Sequence, residues 1–263
     1  MIHYNESAKT YHAFAAMGSS DIRDFIRSPR LFRDRMDGLL PVAESEAMAF
    51  GTAFHCAVLE PEKFAAGYVT KPDGMSLATK EGKAWRDQHE GATIISAKDQ
   101  TRIDFMLARM PAEAKALLSG GKSEVTFRVG LAGFQAQCRA DHISEDLTMM
   151  SDLKTISAIE KVEKEIFNRG YHIQARWYQR VVQSETGKIP EFRLVFCESA
   201  APYRWKIVQL DADYFMLADE KIEAALADIA KREKSEDWSD PSDLHLVASP
   251  PSWLENNTED EDE

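Results

Sequence analysis

Residues 138–155, CRADHISEDLTMMSDLKT, decide the fold that the sequence predicts. Apolar and polar residues alternate over Phe134–Ile143 and again over Leu147–Ile156, and a polar turn, Ser144-Glu145-Asp146, joins the two runs. Because alternation with a period of two is the pattern of a half-buried strand, this stretch predicts a β-hairpin.

Three charged residues on the hairpin suggest chemistry. Asp152 and Lys154 are two residues apart, so their side chains leave the same face of the sheet, and Asp141 can reach that face from across the ladder. Carboxylates suit a hard cation such as Mg²⁺ or Mn²⁺, and an ammonium can hold an attacking water or a transition-state oxygen. The group therefore predicts a metal-dependent phosphodiesterase centre, although acids and a lysine on a hairpin usually form only a solvated face.

Length and composition narrow the classes of protein. A chain of 263 residues can bury a sizeable core as one large domain, or as a domain with a helical elaboration. No apolar run is long enough to span a bilayer, and residues 1–12 lack a basic-then-apolar leader, so we expect a cytoplasmic protein with no membrane partner. Cys56, Cys138 and Cys197 contain no CxxC pair, which argues against a disulfide framework, a structural zinc site and a four-cysteine iron–sulfur cluster.

The net charge of −12 does not exclude a nucleic-acid partner, because its distribution is uneven. Much of the excess lies in Glu233–Asp243 and in the final ENNTEDEDE, and acids at a metal site count as negative until an ion binds. We expect residues 249–263 to form an acidic, disordered tail.

A basic segment lies near the start of the chain, at residues 18–36, GSSDIRDFIRSPRLFRDRM. Ser19 or Ser20 is predicted to cap a helix, and Ser28-Pro29 to end it and begin another. The segment carries Arg23, Arg27, Arg30, Arg33 and Arg35. The pattern fits either an amphipathic helix pair with a salt-bridged outer face or a rim that contacts phosphates.

The remaining elements follow from periodicity and caps. Ala47–Leu59 is predicted to be a helix rich in small residues that packs closely on a sheet; it carries His55, and a lone histidine there is more often a core residue than a ligand. The other predictions are extended chain over residues 61–78, helices over Thr79–Glu90, Ser96–Leu118, Ala158–Asn168 (capped by Ser157) and residues 212–232 (capped by Asp211), and strands over Thr93–Ser96, Ser123–Val129, Glu191–Glu198 and Trp205–Leu210.

Tyr171, Gln174 and Tyr178 follow the hairpin at positions i, i+3 and i+7, which places them on one helical face. Such residues are ordinary at the edge of a core, so the spacing alone leaves their role open.

Three separate stretches resemble known nucleases. The pattern Asp141, ten residues, Asp152-x-Lys154 resembles the PD-(D/E)XK nuclease superfamily, although Ala140 stands where that name expects proline. GTAFHCAVLEPEKF, residues 51–64, closely resembles a stretch of the RecE-type exonucleases, and the spacing Y-x-x-Q-x-x-x-Y resembles the helix after the motif in RecB-like nucleases. Together, over most of residues 19–210, the chain resembles the phage and prophage RecE-type (exodeoxyribonuclease VIII) exonucleases and, more distantly, lambda exonuclease.

The resemblance implies an α/β fold with a central mixed sheet flanked by helices. It implies one nuclease domain over residues 1–248, with a helical portion to about residue 118 and the core sheet over about 119–232. It also implies site roles: Asp141, Asp152 and Lys154 as catalytic residues; Asp141, Asp152, His55 and the Leu153 carbonyl as metal ligands; Gln174, Tyr178 and Tyr171 as substrate-positioning residues; Glu124 as a further candidate at the metal centre.

The implied activity is Mg²⁺-dependent digestion of double-stranded DNA ends from 5′ to 3′, with Mn²⁺ as a substitute. The implied partners are a single-strand annealing protein and further copies of the chain in a ring, in the bacterial host cytoplasm if the gene is phage-encoded. Two alternatives are another nuclease of the superfamily, an endonuclease or end-trimming enzyme, and a non-catalytic DNA-binding protein on the same fold.

Overall fold

A computed structural model describes residues 1–40, 45–240 and 249. Within them the strands are β1 (Ile2–His3), β2 (Tyr68–Lys71), β3 (Thr93–Ser96), β4 (Gly121–Leu131), β5 (Phe134–Ser144), β6 (Met149–Ile156), β7 (Glu191–Glu198) and β8 (Trp205–Gln209). The α-helices are α1 (Ala8–Ala13), α2 (Ser19–Arg27), α3 (Pro29–Met36), α4 (Glu46–Leu59), α5 (Pro61–Gly67), α6 (Lys80–Gln88), α7 (Ala97–Ala108), α8 (Ala112–Leu117), α9 (Val162–Asn168), α10 (Tyr171–Thr186) and α11 (Ala212–Ser235).

Six strands form the central sheet in the order β1-β4-β5-β6-β7-β8. β6 and β7 are parallel, and every other neighbouring pair in this sheet is antiparallel. A separate two-stranded parallel sheet pairs β2 with β3. The central sheet is therefore mixed, as the sequence predicted.

Helices cover both faces of the central sheet. One core contains Ile22 of α2, Trp177 of α10 and Ile222 of α11, packed with residues of β4, β5 and β7. The other contains Phe54 of α4 and Ile103 of α7, packed with residues of β6 and β7. This arrangement confirms the α/β fold with a central mixed sheet flanked by helices.

Two helices bring site residues to the sheet. Ser45 caps α4 by accepting a hydrogen bond from the Met48 N–H at 3.2 Å, and the small side chains of Ala53 and Ala57 are buried in the core, as predicted. On the opposite side, Trp177 anchors α10 because its Nε1–H donates to the Gln137 carbonyl of β5 at 3.0 Å.

The predicted hairpin is present, but its two strands separate early. β5 is paired with β4 along its length except at Asp141, and β6 is paired with β7 along its length. Between β5 and β6 the register includes only His142↔Ser151 and Ile143↔Met150. The ladder therefore stops just before Asp141 on one strand and Asp152 on the other, which leaves an opening between these two residues.

Two predictions of secondary structure were wrong because the role of a proline was misinterpreted. Pro61 was taken as a turn residue within extended chain, whereas it occupies the first turn of α5, where its missing N–H costs nothing. Residues 96–118 were predicted to be one helix, but Pro111 separates α7 from α8 because proline cannot donate within a helix and its ring clashes with the preceding turn.

Two predicted caps were also wrong. Gly18 precedes α2, and its N–H donates to Asp21 Oδ2 at 2.7 Å, so neither Ser19 nor Ser20 is the cap. The helix predicted from Ala158 begins instead as a short 3₁₀ turn, Ile159–Lys161, where the Ile159 N–H donates to Glu198 Oε1. Glu198 belongs to β7, so this contact depends on tertiary structure.

No helix within residues 1–40 and 45–240 is both long and apolar enough to cross a bilayer. The predicted disordered tail, residues 249–263, lies outside the described residues except for Ser249, and the division at residue 118 stays a prediction. β1 pairs with β4, so the first residues of the chain also contribute to the central sheet.

Candidate active site

The separation of β5 from β6 positions Asp141. Its Oδ2 accepts a hydrogen bond from the Leu153 N–H at 2.8 Å, so the carboxylate occupies a place that a ladder partner would otherwise fill. Burial raises the pKa of Asp141, although Lys154 and the hydrogen bond from Leu153 oppose that effect. The first predicted acid therefore lies directly against the strand that carries the second.

Asp152 and Lys154 lie on the same face of β6, as their spacing predicted, and they form an ion pair. The Asp152 side chain is 1% exposed and that of Lys154 is 17% exposed. Burial raises the pKa of Asp152 to about 6, despite the opposing charge of Lys154. Burial works against the charge on Lys154, but Asp152 and Asp141 outweigh it and raise the pKa of the ammonium.

Gln174 and Tyr178 lie behind Asp152, on the face that α10 presents to the sheet. Gln174 Nε2 donates to Asp152 Oδ1 at 2.9 Å and lies 3.3 Å from the Tyr178 hydroxyl. Both side chains are buried: Gln174 contacts the Asp152 carboxylate, and Tyr178 contacts Gln174. Their role in positioning a substrate stays a prediction. The sequence placed them on one helical face but did not indicate that Gln174 would hold Asp152.

His55 reaches the same group from α4. Its Nδ1 lies 3.6 Å from Asp141 Oδ2, beyond hydrogen-bonding distance, and its side chain is 25% exposed. Burial and the charge of Lys154 lower the pKa of His55 to about 4, so the ring is neutral at pH 7. The structure thus places a neutral imidazole beside the Asp141 carboxylate, and its role as a metal ligand stays a prediction.

Tyr171 covers Lys154 from the first turn of α10. The ammonium lies 5.1 Å from the centre of the Tyr171 ring, a cation–π contact, and the ring also packs on Phe196. Tyr171 borders an open cleft of about 550 Å³ between α2 and the junction of α9 with α10.

The cleft beside Tyr171 is lined by basic side chains, among them Arg23, Arg27, Arg169 and Lys221. Elsewhere on the segment 18–36, Arg30 and Arg33 form ion pairs with Asp34 and Asp37. The helix pair with ion pairs on its outer face is therefore present, and Arg35, which also lines the cleft, pairs with Asp24. Contact of this segment with phosphates stays a prediction.

Glu124, the further candidate, lies opposite Asp141 on β4. It has a φ of +55°, a left-handed conformation that non-glycine residues seldom adopt, and it interrupts the register between Ser123↔His142 and Val125↔Ala140. Burial, and then the charge of Asp141, raise the pKa of Glu124 to about 7. Its Oε2 lies 2.6 Å from Nε of Arg139, a residue that the sequence reasoning did not single out.

The donor set fits a divalent cation. Asp141 and Asp152 place two buried carboxylates beside a single ammonium, and Asp152 Oδ2, although it touches Lys154, has no hydrogen bond of acceptable geometry. In the described residues, no three His, Cys, Asp or Glu side chains already surround a common metal position. Magnesium sites commonly use only one or two carboxylates and keep several waters, so the two acids are enough to hold such an ion. The Leu153 carbonyl and His55 stay predicted ligands.

A mixed sheet between helices, with two acids and a lysine where neighbouring strands separate, defines the class of PD-(D/E)XK proteins. Residues 18–244 match the profile of one family in particular, the PDDEXK-like domain of unknown function (DUF3799). The chain belongs to this family. PD-(D/E)XK nucleases generally use divalent metal ions.

A solved structure supports the fold. A protein from Eubacterium rectale, described as a "Putative exonuclease", is similar at a TM-score of 0.67 and 18% identity, over 98% of this chain and 100% of that one. The protein SSO0001 matches at 14% identity over 78% of this chain and 85% of its own, but with a TM-score of 0.27 it carries no argument. No curated protein matches the sequence.

Proposed function

We propose that this protein is a Mg²⁺-dependent deoxyribonuclease that hydrolyses phosphodiester bonds at the ends of linear double-stranded DNA. One observation carries the proposal: Asp141, Asp152 and Lys154 meet where β5 and β6 separate. Family membership supports the same chemistry, because the three residues that resembled the superfamily motif are the ones that meet.

Asp141 and Asp152 would hold the ion, together with the Leu153 carbonyl and His55. When bound, a divalent ion supplies positive charge that polarises the phosphodiester and makes a nearby water more acidic. Lys154 carries the positive charge that orients a water or a phosphate oxygen, and Tyr171 limits where its ammonium can go. Gln174 fixes the Asp152 carboxylate, and the Tyr178 hydroxyl lies beside the Gln174 amide.

The finer part of the proposal rests on the resemblance to RecE-type exonucleases. It comprises exonucleolytic digestion from 5′ to 3′, assembly of several copies into a ring, and delivery of the exposed 3′ strand to a single-strand annealing protein for recombination. The basic cleft between α2 and α10 supports a DNA substrate despite the net charge of −12, since it places arginines beside Tyr171, whose ring contacts Lys154.

The test compares two substrates. End-labelled linear duplex and closed circular duplex are incubated separately with the protein in Mg²⁺, Mn²⁺ or EDTA. We expect loss of the linear duplex in either metal, no cleavage in EDTA and an intact circle. Labels at the 5′ end and, separately, at the 3′ end of the same strand give the polarity, because a 5′-to-3′ enzyme releases the 5′ label first.

Each alternative gives a different result. Nicking of the closed circle would indicate an endonuclease. Binding of the linear duplex without cleavage in any metal would indicate a DNA-binding protein on this fold. Full cleavage in EDTA would contradict the metal-dependent mechanism itself.

A further inference from the structure

Arg139 is a half-buried cation beside the candidate active site, and its guanidinium is only partly engaged by other side chains. It lies two residues before Asp141 on β5, and its charge acts to lower the pKa of Asp141. Its side chain is 17% exposed. Its contact with Glu124 is an ion pair at 2.6 Å, but the Nε–H is not directed for a hydrogen bond. Within residues 1–40 and 45–240, no guanidinium nitrogen of Arg139 donates a hydrogen bond.

A second arginine, on the neighbouring strand, has a purely structural role and serves as a comparison for Arg139. Arg128 of β4 donates from Nε to Gln137 at 3.2 Å, and from its two terminal nitrogens to the two oxygens of Glu6 at 2.9 and 2.8 Å. All three of its nitrogens are engaged. Arg139 makes an ion pair through Nε and a ring contact with Tyr11, which leaves its two terminal nitrogens free for a ligand.

The backbone at the ion-pair partner of Arg139 is conformationally strained. Glu124, its ion-pair partner, has a left-handed φ of +55°, and such strain persists where the surrounding structure imposes it. The guanidinium carbon also lies over the ring of Tyr11, 5.9 Å from its centre. Glu124 and Tyr11 together restrict Arg139 to the neighbourhood of Asp141.

We propose that Arg139 binds a phosphate of the DNA strand that lies across Asp141, and that Glu124 is the positioning residue that orients it. An arginine fork matches the oxygens of a phosphodiester, and it stays charged when buried. A phosphate near the two acids would then contact positive charge from both strands, Lys154 of β6 and Arg139 of β5. This inference rests on the proposed nuclease function.

The competing explanation is that Arg139 only neutralises the buried Glu124 carboxylate. A double substitution separates the two roles. Arg139→Gln alone leaves Glu124 without its cation, whereas Arg139→Gln with Glu124→Gln removes both charges and leaves none uncompensated. If neutralisation is the only role, the double variant should bind duplex in EDTA, where no metal depends on Glu124, as the wild type does.

The measurement is binding of a short linear duplex in Ca²⁺ and in EDTA, at several salt concentrations, with melting curves for each variant. We expect Arg139→Gln and the double variant both to bind about 10- to 100-fold more weakly than the wild type. The slope of log affinity against log salt should fall by about 0.9, as expected for one lost phosphate contact. Arg139→Lys should keep the slope and lose part of the affinity, because it keeps the charge but not the fork.

The matched control is Arg128→Gln with Glu6→Gln, which should change the melting temperature but not the salt slope. Wild-type binding and slope in the double variant at Arg139 and Glu124 would overturn the proposal, whatever the single variant does. If Arg139→Gln does not fold, the double variant decides alone. A wild type that neither binds nor cleaves duplex would instead refute the proposed function, so the two failures are distinguishable.

Discussion

At the scale of single residues, the burial of Asp152 in the candidate site lowers the stability of the metal-free fold. Its carboxylate is 1% exposed and its pKa is raised to about 6, because burial outweighs the attraction of Lys154. An acid whose folded-state pKa exceeds its unfolded value of about 3.8 destabilises the fold as pH rises between those two values. Above about pH 6, the metal-free protein is destabilised by the full free-energy cost of burying the charged Asp152 carboxylate.

Replacing this acid with its neutral isostere should therefore stabilise the metal-free protein. At pH 8 in EDTA, Asp152→Asn should unfold with a free energy higher by on the order of 1–3 kcal/mol, and the gain should shrink toward pH 4. The amide oxygen can still accept the hydrogen bond from Gln174. Chemical denaturation at the two pH values measures this effect. A less stable variant at pH 8 would show that the pair with Lys154 is worth more than burial costs.

Lys154 should affect catalysis more than metal binding. We expect Lys154→Ala to bind Mn²⁺ nearly as the wild type does while cleavage slows by roughly 100-fold or more. Asp152→Ala should lose both cleavage and most of the metal affinity. Calorimetric titration with Mn²⁺ measures the metal affinity of the two variants. Equal loss of Mn²⁺ binding in both would mean that Lys154 acts by holding Asp152 in place.

His55 could act as a metal ligand or as a packing residue, and substitution distinguishes these two roles. Because its side chain is partly exposed and lies 3.6 Å from Asp141, we expect His55→Ala to melt close to the wild type in EDTA. The extra stability that Mn²⁺ confers should decrease in the variant, because one ligand is missing. Melting curves with and without Mn²⁺ test this, alongside the cleavage rate. A drop of about 1–3 kcal/mol in EDTA, with the Mn²⁺ increment preserved, would identify a core histidine.

The sequence could predict the three central residues because each depends on local rules. Strand alternation placed Asp152 and Lys154 on one face, and the turn placed Asp141 across from them. Glu124 could be suspected but not explained, because its left-handed backbone is imposed by the folded sheet. Arg139 was missed, although its position two residues before Asp141 on the same strand was a signal that could have found it.

At the scale of elements, two glycines in helices illustrate how packing reverses an intrinsic preference. In α4, a Cβ on Gly51 would have Thr155 Oγ1, at 3.8 Å, as its nearest neighbour. In α6, a Cβ on Gly82 would lie 2.1 Å from the Ser76 carbonyl oxygen and 2.8 Å from Leu77 Cα. The first position has room for a methyl group, and the second is closed by backbone atoms that cannot rotate away.

The same substitution should therefore have opposite effects at these two positions. Gly51→Ala should stabilise the protein by up to about 1 kcal/mol, because alanine is the better helix former. Gly82→Ala should destabilise it by about 1–3 kcal/mol, because the loop before α6 must move. Denaturation of the two single variants in the same buffer gives both values. A shift of the same sign in both would mean that the close approach of Ser76 does not constrain α6.

Element prediction succeeded where local chemistry decides and failed where contacts between elements decide. The helix that carries His55 was predictable from its small apolar residues, and the strand Glu191–Glu198 was predicted with its observed bounds. The start of the 3₁₀ turn at Ile159 was not predictable, because its N–H is satisfied by Glu198 of another strand. The contact of Gln174 with Asp152 likewise depends on how α10 lies against the sheet.

At the scale of the whole molecule, the distribution of charge matters more than its sum. Six of the residues Leu254–Glu263, which lie outside the described part of the chain, are acidic. The basic side chains of the cleft beside Tyr171 have the opposite sign. Negative charge attached to the chain should oppose DNA binding at long range, and salt should screen that opposition.

Deletion after Trp253 should consequently strengthen DNA binding by a modest factor, most at low salt, and leave the melting temperature and the cleavage rate of bound DNA unchanged. DNA binding at two salt concentrations and size-exclusion chromatography measure the outcome. Loss of an oligomer on deletion would instead show that these acids contact a neighbouring subunit or a basic partner.

The early separation of β5 and β6 also has a consequence for how the molecule could be divided. The two strands that carry the candidate site are joined by residues 145–148, yet each is paired mainly with its outer neighbour, β5 with β4 and β6 with β7. A cut in that turn leaves both partnerships intact. We therefore expect fragments 1–145 and 146–263, expressed together, to reassemble into an active heterodimer, with Asp141 on one polypeptide and Asp152 and Lys154 on the other.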